Sequence, residues 1–381
     1  MRAPSPPSRP LSRRALLRSG ALFAGALCLP RSALAATEQP EAPADVYRRA
    51  ISVDGLTNDG SDLDPTLAIE AGLTAAVVDM SMYPRNHPAA VEALAEWKAA
   101  FAKPDAKLLP ILRAADFEQA RAQRKLGVVL ACQDAQILDA SYYSVNDGNL
   151  DNLRQFHEAG LRVLQLTHND RNALGDSYRE KGNAGLSVLG EAVVARMNAL
   201  GMLVDLSHCG DRTTAEAIAL SKKPCAITHA GCRARFAHPR NKPDALIRAV
   251  ARKGGVFGVF NMSLWLTAKE KPSLDVLLDH VDHAVKVAGV EHVGFGSDGR
   301  VVRTCSGDEA GEVKGMAHFY RRNQGLPGFE RPPTHVHVQE LGGPDRLLRL
   351  AEGLGKRGYK SADIEKLIGG NFVRLLRDVI G

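Results

Sequence analysis

Two histidines and an aspartate follow directly on short apolar runs: His208 in LVDLSHCG, His229 in AITHAGC and Asp298 in VGFGSDG. Neutral imidazoles and a carboxylate are the usual ingredients of a hydrolytic metal site. A cation held by few protein ligands keeps a position for water and brings the pKa of that water towards neutrality. A nearby carboxylate can then take the proton and return it to a leaving amine. Asp298 is the candidate for that work. Taken singly, each residue has a plain alternative: a core or surface histidine, or an aspartate capping a turn. Their placement behind three separate apolar runs favours a shared site.

For these side chains to meet, the runs must be parallel strands that open on one mouth. Eight candidate strands alternate with amphipathic stretches: 51–56, 73–80, 127–132, 162–167, 202–207, 225–228, 255–260 and 292–297. Most are continuously apolar, as expected of strands covered on both faces. Helices are expected over 186–200, stopping at Gly201, over 211–220, and over 274–288 between Ser273 and Gly289. Eight such units predict an α/β fold, a (β/α)8 TIM barrel, whose strand C-terminal ends carry the chemistry. A doubly wound open sheet is the runner-up, but no glycine-rich phosphate fingerprint follows an early strand. The stretch 299–339, rich in Gly, Pro and charge, reads as a long loop on the active-site side, and 347–354 and 363–380 as closing helices.

The barrel reading carries its own check, since polar residues should gather at the strand ends. They do: Asn58 and Asp59, Gln133 and Asp134, His168, His208, His229, Asn261 and Asp298.

Residues 1–35 contain six arginines and no acid. Ser12-Arg13-Arg14, a modest apolar run over 19–29 and Ala33-Leu34-Ala35 resemble a twin-arginine export signal with its cleavage site. The expected organisation is an export signal over 1–35, a linker over 36–50 and a barrel over 51–381. The expected location is periplasmic or otherwise exported, with no stable membrane insertion after cleavage. Without residues 1–35, 43 basic residues face 43 acidic ones, which gives no reason to expect nucleic-acid binding. Five cysteines remain after cleavage: Cys132, Cys209, Cys225, Cys232 and Cys305. An odd number argues against a full disulfide framework. Cys209 and Cys132 should point away from the site and pack as small hydrophobes.

Several stretches, in order along the chain, resemble the renal or membrane dipeptidase family (peptidase family M19): LRVLQLTHNDRN, LVDLSHCGDRT, AITHAGCRA, HPRNKPDAL, HVDHAVKVAGVEHVGFGSD and GGNFVRLLRDV. The resemblance implies a (β/α)8 metallopeptidase with a binuclear zinc site that hydrolyses dipeptides. It gives His208 and His229 as metal ligands and Asp298 as the proton-handling acid. His168 becomes a histidine that contacts the substrate or polarises its carbonyl, and Arg240 the arginine that binds the substrate carboxylate. Two departures stand out. The family's opening Asp-Gly-His-Asn-Asp run is Asp54-Gly55-Leu56-Thr57-Asn58-Asp59 here, and its bridging glutamate is Gln133. Leucine cannot ligate, and neutral amides bring no charge to hold two cations together. The expectation is therefore one zinc ion rather than two, on His208 and His229, with Gln133 or Asp298 as further ligands. Asp59 could replace the missing acid only with a one-residue shift. The competing reading is a non-catalytic protein that binds a carboxylate or dipeptide on the same barrel. Homodimers are common in the family, but no interface is legible in this chain.

Overall fold

The computed structural model describes residues 41–80, 86–139, 147–270, 272–302 and 309–381. The expected export signal over 1–35, with Cys28, lies outside the described residues, and so does Cys305.

Among the described residues, nine strands form one parallel sheet: β1 (Val53–Thr57), β2 (Ala75–Asp79), β3 (Leu108–Pro110), β4 (Leu126–Cys132), β5 (Leu161–Gln165), β6 (Leu203–Asp205), β7 (Ala226–Ala230), β8 (Val256–Val259) and β9 (Val293–Phe295). Eight run in the order β1-β2-β4-β5-β6-β7-β8-β9, and β3 pairs only with β4. The ring closes past β9, where Thr57 bridges Gly299 in parallel, Asn58 N donates to Gly299 O (2.7 Å) and Asp298 N donates to Leu56 O (3.0 Å). The eight expected strands are all present, within two residues at their ends. Strand β3 was not expected: three residues ending in a proline carry too short a pattern to read.

Side chains alternate across each strand, and the two faces bury different partners. Ala76, Val78, Val128, Leu130, Val204, Ile227 and Phe257 join the outer core with the helices. Val53, Ala75, Val77, Val129, Ala131, Val163, Leu203, Ala226 and Val256 form an inner core with the last helix, Asn371–Ile380. Phe372 from that helix enters between strands where only glycine leaves room. A Cβ on Gly55 or Gly294 would meet its ring at 2.4 and 2.6 Å. Removing the Phe372 side chain would cost about 3–5 kcal/mol.

The helices confirm the expected punctuation. Val188–Leu200 starts behind Ser187, whose side chain accepts from Gly190 N, and stops at Gly201 with φ +74°. Asp211–Leu220 and Leu274–Ala288 have the expected limits, although Ser273 makes no side-chain cap.

Three expectations are corrected. The 36–50 linker is partly a helix, Pro43–Arg49, with Val46 and Tyr47 buried and Arg49 bound to Glu365 at 2.6 Å. The 299–339 loop contains a 14-residue helix, Glu309–Arg322, whose Tyr320 is buried. The closing stretch 363–380 is broken near Gly369, where a Cβ would meet Ile51 O at 2.4 Å. The four described cysteines are buried, Cys132 and Cys209 within the outer core as expected of small hydrophobes, and burial pushes the Cys225 thiol up to about 11. Among the described residues, no helix is long and apolar enough to cross a membrane.

Candidate metal centre

Strand β6 ends at Asp205, and a short turn then presents His208 before the next helix begins at Asp211. His208 is pinned through its own backbone, since its carbonyl accepts from Tyr178 N at 2.9 Å. His229 sits near the end of β7, where the pairing with β8 is irregular between Ile227 and Ala230. Asp298 follows β9 with φ +55°, a left-handed backbone that aspartate tolerates better than most residues. The three offer ligand atoms that lie within 4.8 Å of one another. His168, behind β5, stacks on His208 with ring centroids 4.3 Å apart.

The hydrogen bonds around the two imidazoles define their chemistry. His208 Nδ1 lies 3.1 Å from Asn169 Oδ1, which also accepts from the Tyr178 hydroxyl at 3.1 Å. His229 Nδ1 lies 2.8 Å from Thr228 Oγ1, and that hydroxyl donates to Asp205 Oδ2 at 2.6 Å. Both arrangements favour the proton on Nδ1. The two Nε2 atoms then face each other at 3.0 Å with lone pairs. Two acceptors at that distance repel unless a cation lies between them, so the residues present fit a metal ion.

Arg240 is fully buried just behind the histidines. Nη1 donates to Ser207 O (2.7 Å) and Nη2 to His229 O (2.9 Å), while Nε has no partner. Among the described residues no carboxylate pairs with it. Phe260, Trp265 and Tyr178 surround the guanidinium at 5.1–5.9 Å, a cation–π setting. Burial pulls its pKa below the usual value, and the charge of Asp298 opposes that pull. Lys242 is also buried and donates to Cys209 O at 2.5 Å. Burial depresses its pKa to about 8.

The other side of the mouth is closed on itself. Gln133 Nε2 donates to Asn58 Oδ1 (2.7 Å) and Asp79 Oδ2 (3.2 Å), and Asn58 Nδ2 donates to Asp298 Oδ1 (3.2 Å). Leu56 is buried. The amides thus spend their N–H groups on each other's oxygens and on Asp79 and Asp298. Asp59 Oδ2 accepts from Val301 N at 2.8 Å and holds the loop after β9. Gln133 Oε1 is buried and has no hydrogen-bond partner.

Sequence reasoning thus named His168, His208, His229 and Asp298, which the fold brings together, and Arg240, which it places behind them. It missed Asn169, Tyr178, Asp205 and Thr228. A signal existed for two of these. Asp205 and Thr228 share the inward parity of Leu203 and Ala226, so they are polar positions in an apolar barrel interior.

A parallel barrel with histidine and carboxylate ligands gathered at its C-terminal mouth has the layout of a barrel metal site. The family model for membrane dipeptidases (peptidase family M19) matches residues 69–307. The chain belongs to this family. It is 39% identical over 158 residues to dipeptidase verJ of Clonostachys rogersoniana, a match covering 41% of this chain and 40% of the relative. It is 30% identical over 236 residues to dipeptidase aclJ of Aspergillus oryzae, covering 61% and 48%. The matches thus span less than half the length of these curated relatives. Among solved structures, an amidohydrolase from Pseudomonas aeruginosa superposes with a TM-score of 0.75 at 25% identity, covering 89% of this chain and 99% of that one. A metallopeptidase from Rhodobacter sphaeroides, liganded with a phosphinate mimic of the dipeptide L-Ala-D-Ala, shares the fold with a TM-score of 0.65 at 19% identity, covering 87% and 99%.

Proposed function

We propose that this protein is a metal-dependent hydrolase that cleaves dipeptides or related small amides carrying a free carboxylate. The observation that carries the reading is the convergence of His208, His229 and Asp298 beside a buried arginine with which no carboxylate forms an ion pair among the described residues. His208 and His229 would hold one zinc ion, with Gln133 Oε1 or Asp298 as a further ligand. When bound, that ion supplies Lewis acidity and a water of lowered pKa. Asp298 accepts the water's proton and delivers it to the leaving amine. His168, partly exposed beside His208, contacts the scissile amide. Arg240 is assigned to the substrate carboxylate, whose charge its buried guanidinium would balance.

Family membership and the likeness to dipeptidases support this reading, and the R. sphaeroides relative carries a dipeptide mimic. The composition of residues 12–35 supports export through the twin-arginine route to the periplasm. The test is a panel of L,L- and L,D-dipeptides offered to zinc-reconstituted protein. Turnover that disappears in His208→Ala is expected. Tight dipeptide binding with no turnover under any supplied metal would instead establish a binding protein.

A further inference from the structure

We propose that Asp205 is the positioning residue for both metal-site histidines, acting through Thr228 on His229 and through Ser207 on the turn that carries His208. The inference rests on the metal site proposed above. Asp205 is fully buried in the barrel interior, and each of its oxygens is committed. Oδ1 accepts from Ser207 N (3.1 Å), Ser207 Oγ (2.5 Å) and Thr228 N (3.1 Å). Oδ2 accepts from Thr228 Oγ1 (2.6 Å). Ser207 and Thr228 are the residues immediately before His208 and His229. One carboxylate thus grips the backbone at the root of each ligand.

The two roots are also tied to each other. Ser207 Oγ accepts from His229 N at 3.1 Å and lies 3.0 Å from Thr228 Oγ1. The Thr228 hydroxyl has one proton, and the short contact to Asp205 takes it. Its lone pairs are then left to accept from His229 Nδ1 at 2.8 Å. The relay runs from ring N–H to hydroxyl oxygen, and from hydroxyl hydrogen to carboxylate. It fixes the His229 tautomer with Nε2 bare, holds the ring plane, and passes part of the carboxylate's charge to the ligand nitrogen. Outer partners of this kind typically set metal affinity by about 10- to 100-fold. A carboxylate that only knitted β6 to β7 would need Thr228 N and Ser207 N, but not a hydroxyl against the imidazole.

Thr228→Val keeps the shape of the side chain and removes the hydroxyl. Zinc affinity is measured by competition with a chromogenic chelator, alongside circular dichroism and the visible spectrum of the cobalt-substituted protein. The expected result is a loss of about 10- to 100-fold in zinc affinity for Thr228→Val, with a shifted cobalt spectrum. Thr228→Ser, which restores the hydroxyl, should retain both. If Thr228→Val fails to fold, Asp205→Asn should show the same loss in the isosteric neutral form. Equal zinc affinity in the wild type and either folded variant overturns the inference while leaving the metal site standing. A wild type that binds no zinc overturns the metal site itself, and the inference with it.

Discussion

The two halves of the barrel mouth answer the same demand in opposite ways. On the β6–β7 side, a threonine hydroxyl held by a buried carboxylate and an asparagine each engage the outer nitrogen of an imidazole, and the inner nitrogens are left facing each other. On the β1–β4 side, Asn58 and Gln133 spend donors and acceptors on one another and on Asp79 and Asp298. The first half presents two ring nitrogens 3.0 Å apart that suit a cation. The second is largely satisfied by protein alone. Strand-end polarity by itself therefore does not define a metal position. What defines it is whether the polar atoms can satisfy each other.

Several substitutions would break or sharpen this contrast. Removing both imidazoles in His208→Ala/His229→Ala should reduce turnover on the order of 10⁴-fold, because the Lewis acid is lost. Dipeptide hydrolysis rates check this. Asp298→Asn should lower kcat by about 10²–10³-fold, as rate assays would show, and paired metal analysis separates lost proton transfer from lost ligation. A third change tests what underlies the self-satisfied half. Asp54 and Arg346 form a buried ion pair at 3.0 Å, and Arg346 also holds Arg300 O and Val301 O beneath Asp298. Arg346→Met leaves the Asp54 charge uncompensated and should cost about 3–5 kcal/mol, read by chemical denaturation. The smallest effect is expected from Asn58→Ala, which removes one hydrogen bond to Asp298. It should cost about 1 kcal/mol in kcat/KM and leave zinc content unchanged. A loss of zinc in that variant would show that the two halves are not independent.

Much of this was legible in the residues. Continuous apolar runs spaced through the chain gave the parallel barrel, and polar residues behind them gave His168, His208, His229 and Asp298. Leu56, Asn58 and Gln133 raised the expectation of a weakened metal position, which the zinc count below tests. The support around the histidines was harder to read. Asn169 and Tyr178 come from one connection after β5 and meet at His208 only through the fold. Asp205 and Thr228 sit inside strands, where a carboxylate or hydroxyl leaves no periodic trace except its inward parity. Arg240 was legible by its motif but not by its burial, because the aromatic residues that enclose it, Tyr178, Phe260 and Trp265, come from separate segments. The helix within 299–339 was hidden by glycines and charges that read as loop.

Elemental analysis of the mature protein after zinc reconstitution tests the contrast between the two halves most directly. The account predicts one zinc per chain, absent from the His208→Ala/His229→Ala variant. Two zinc ions per chain, or one that persists in the double variant, would contradict it.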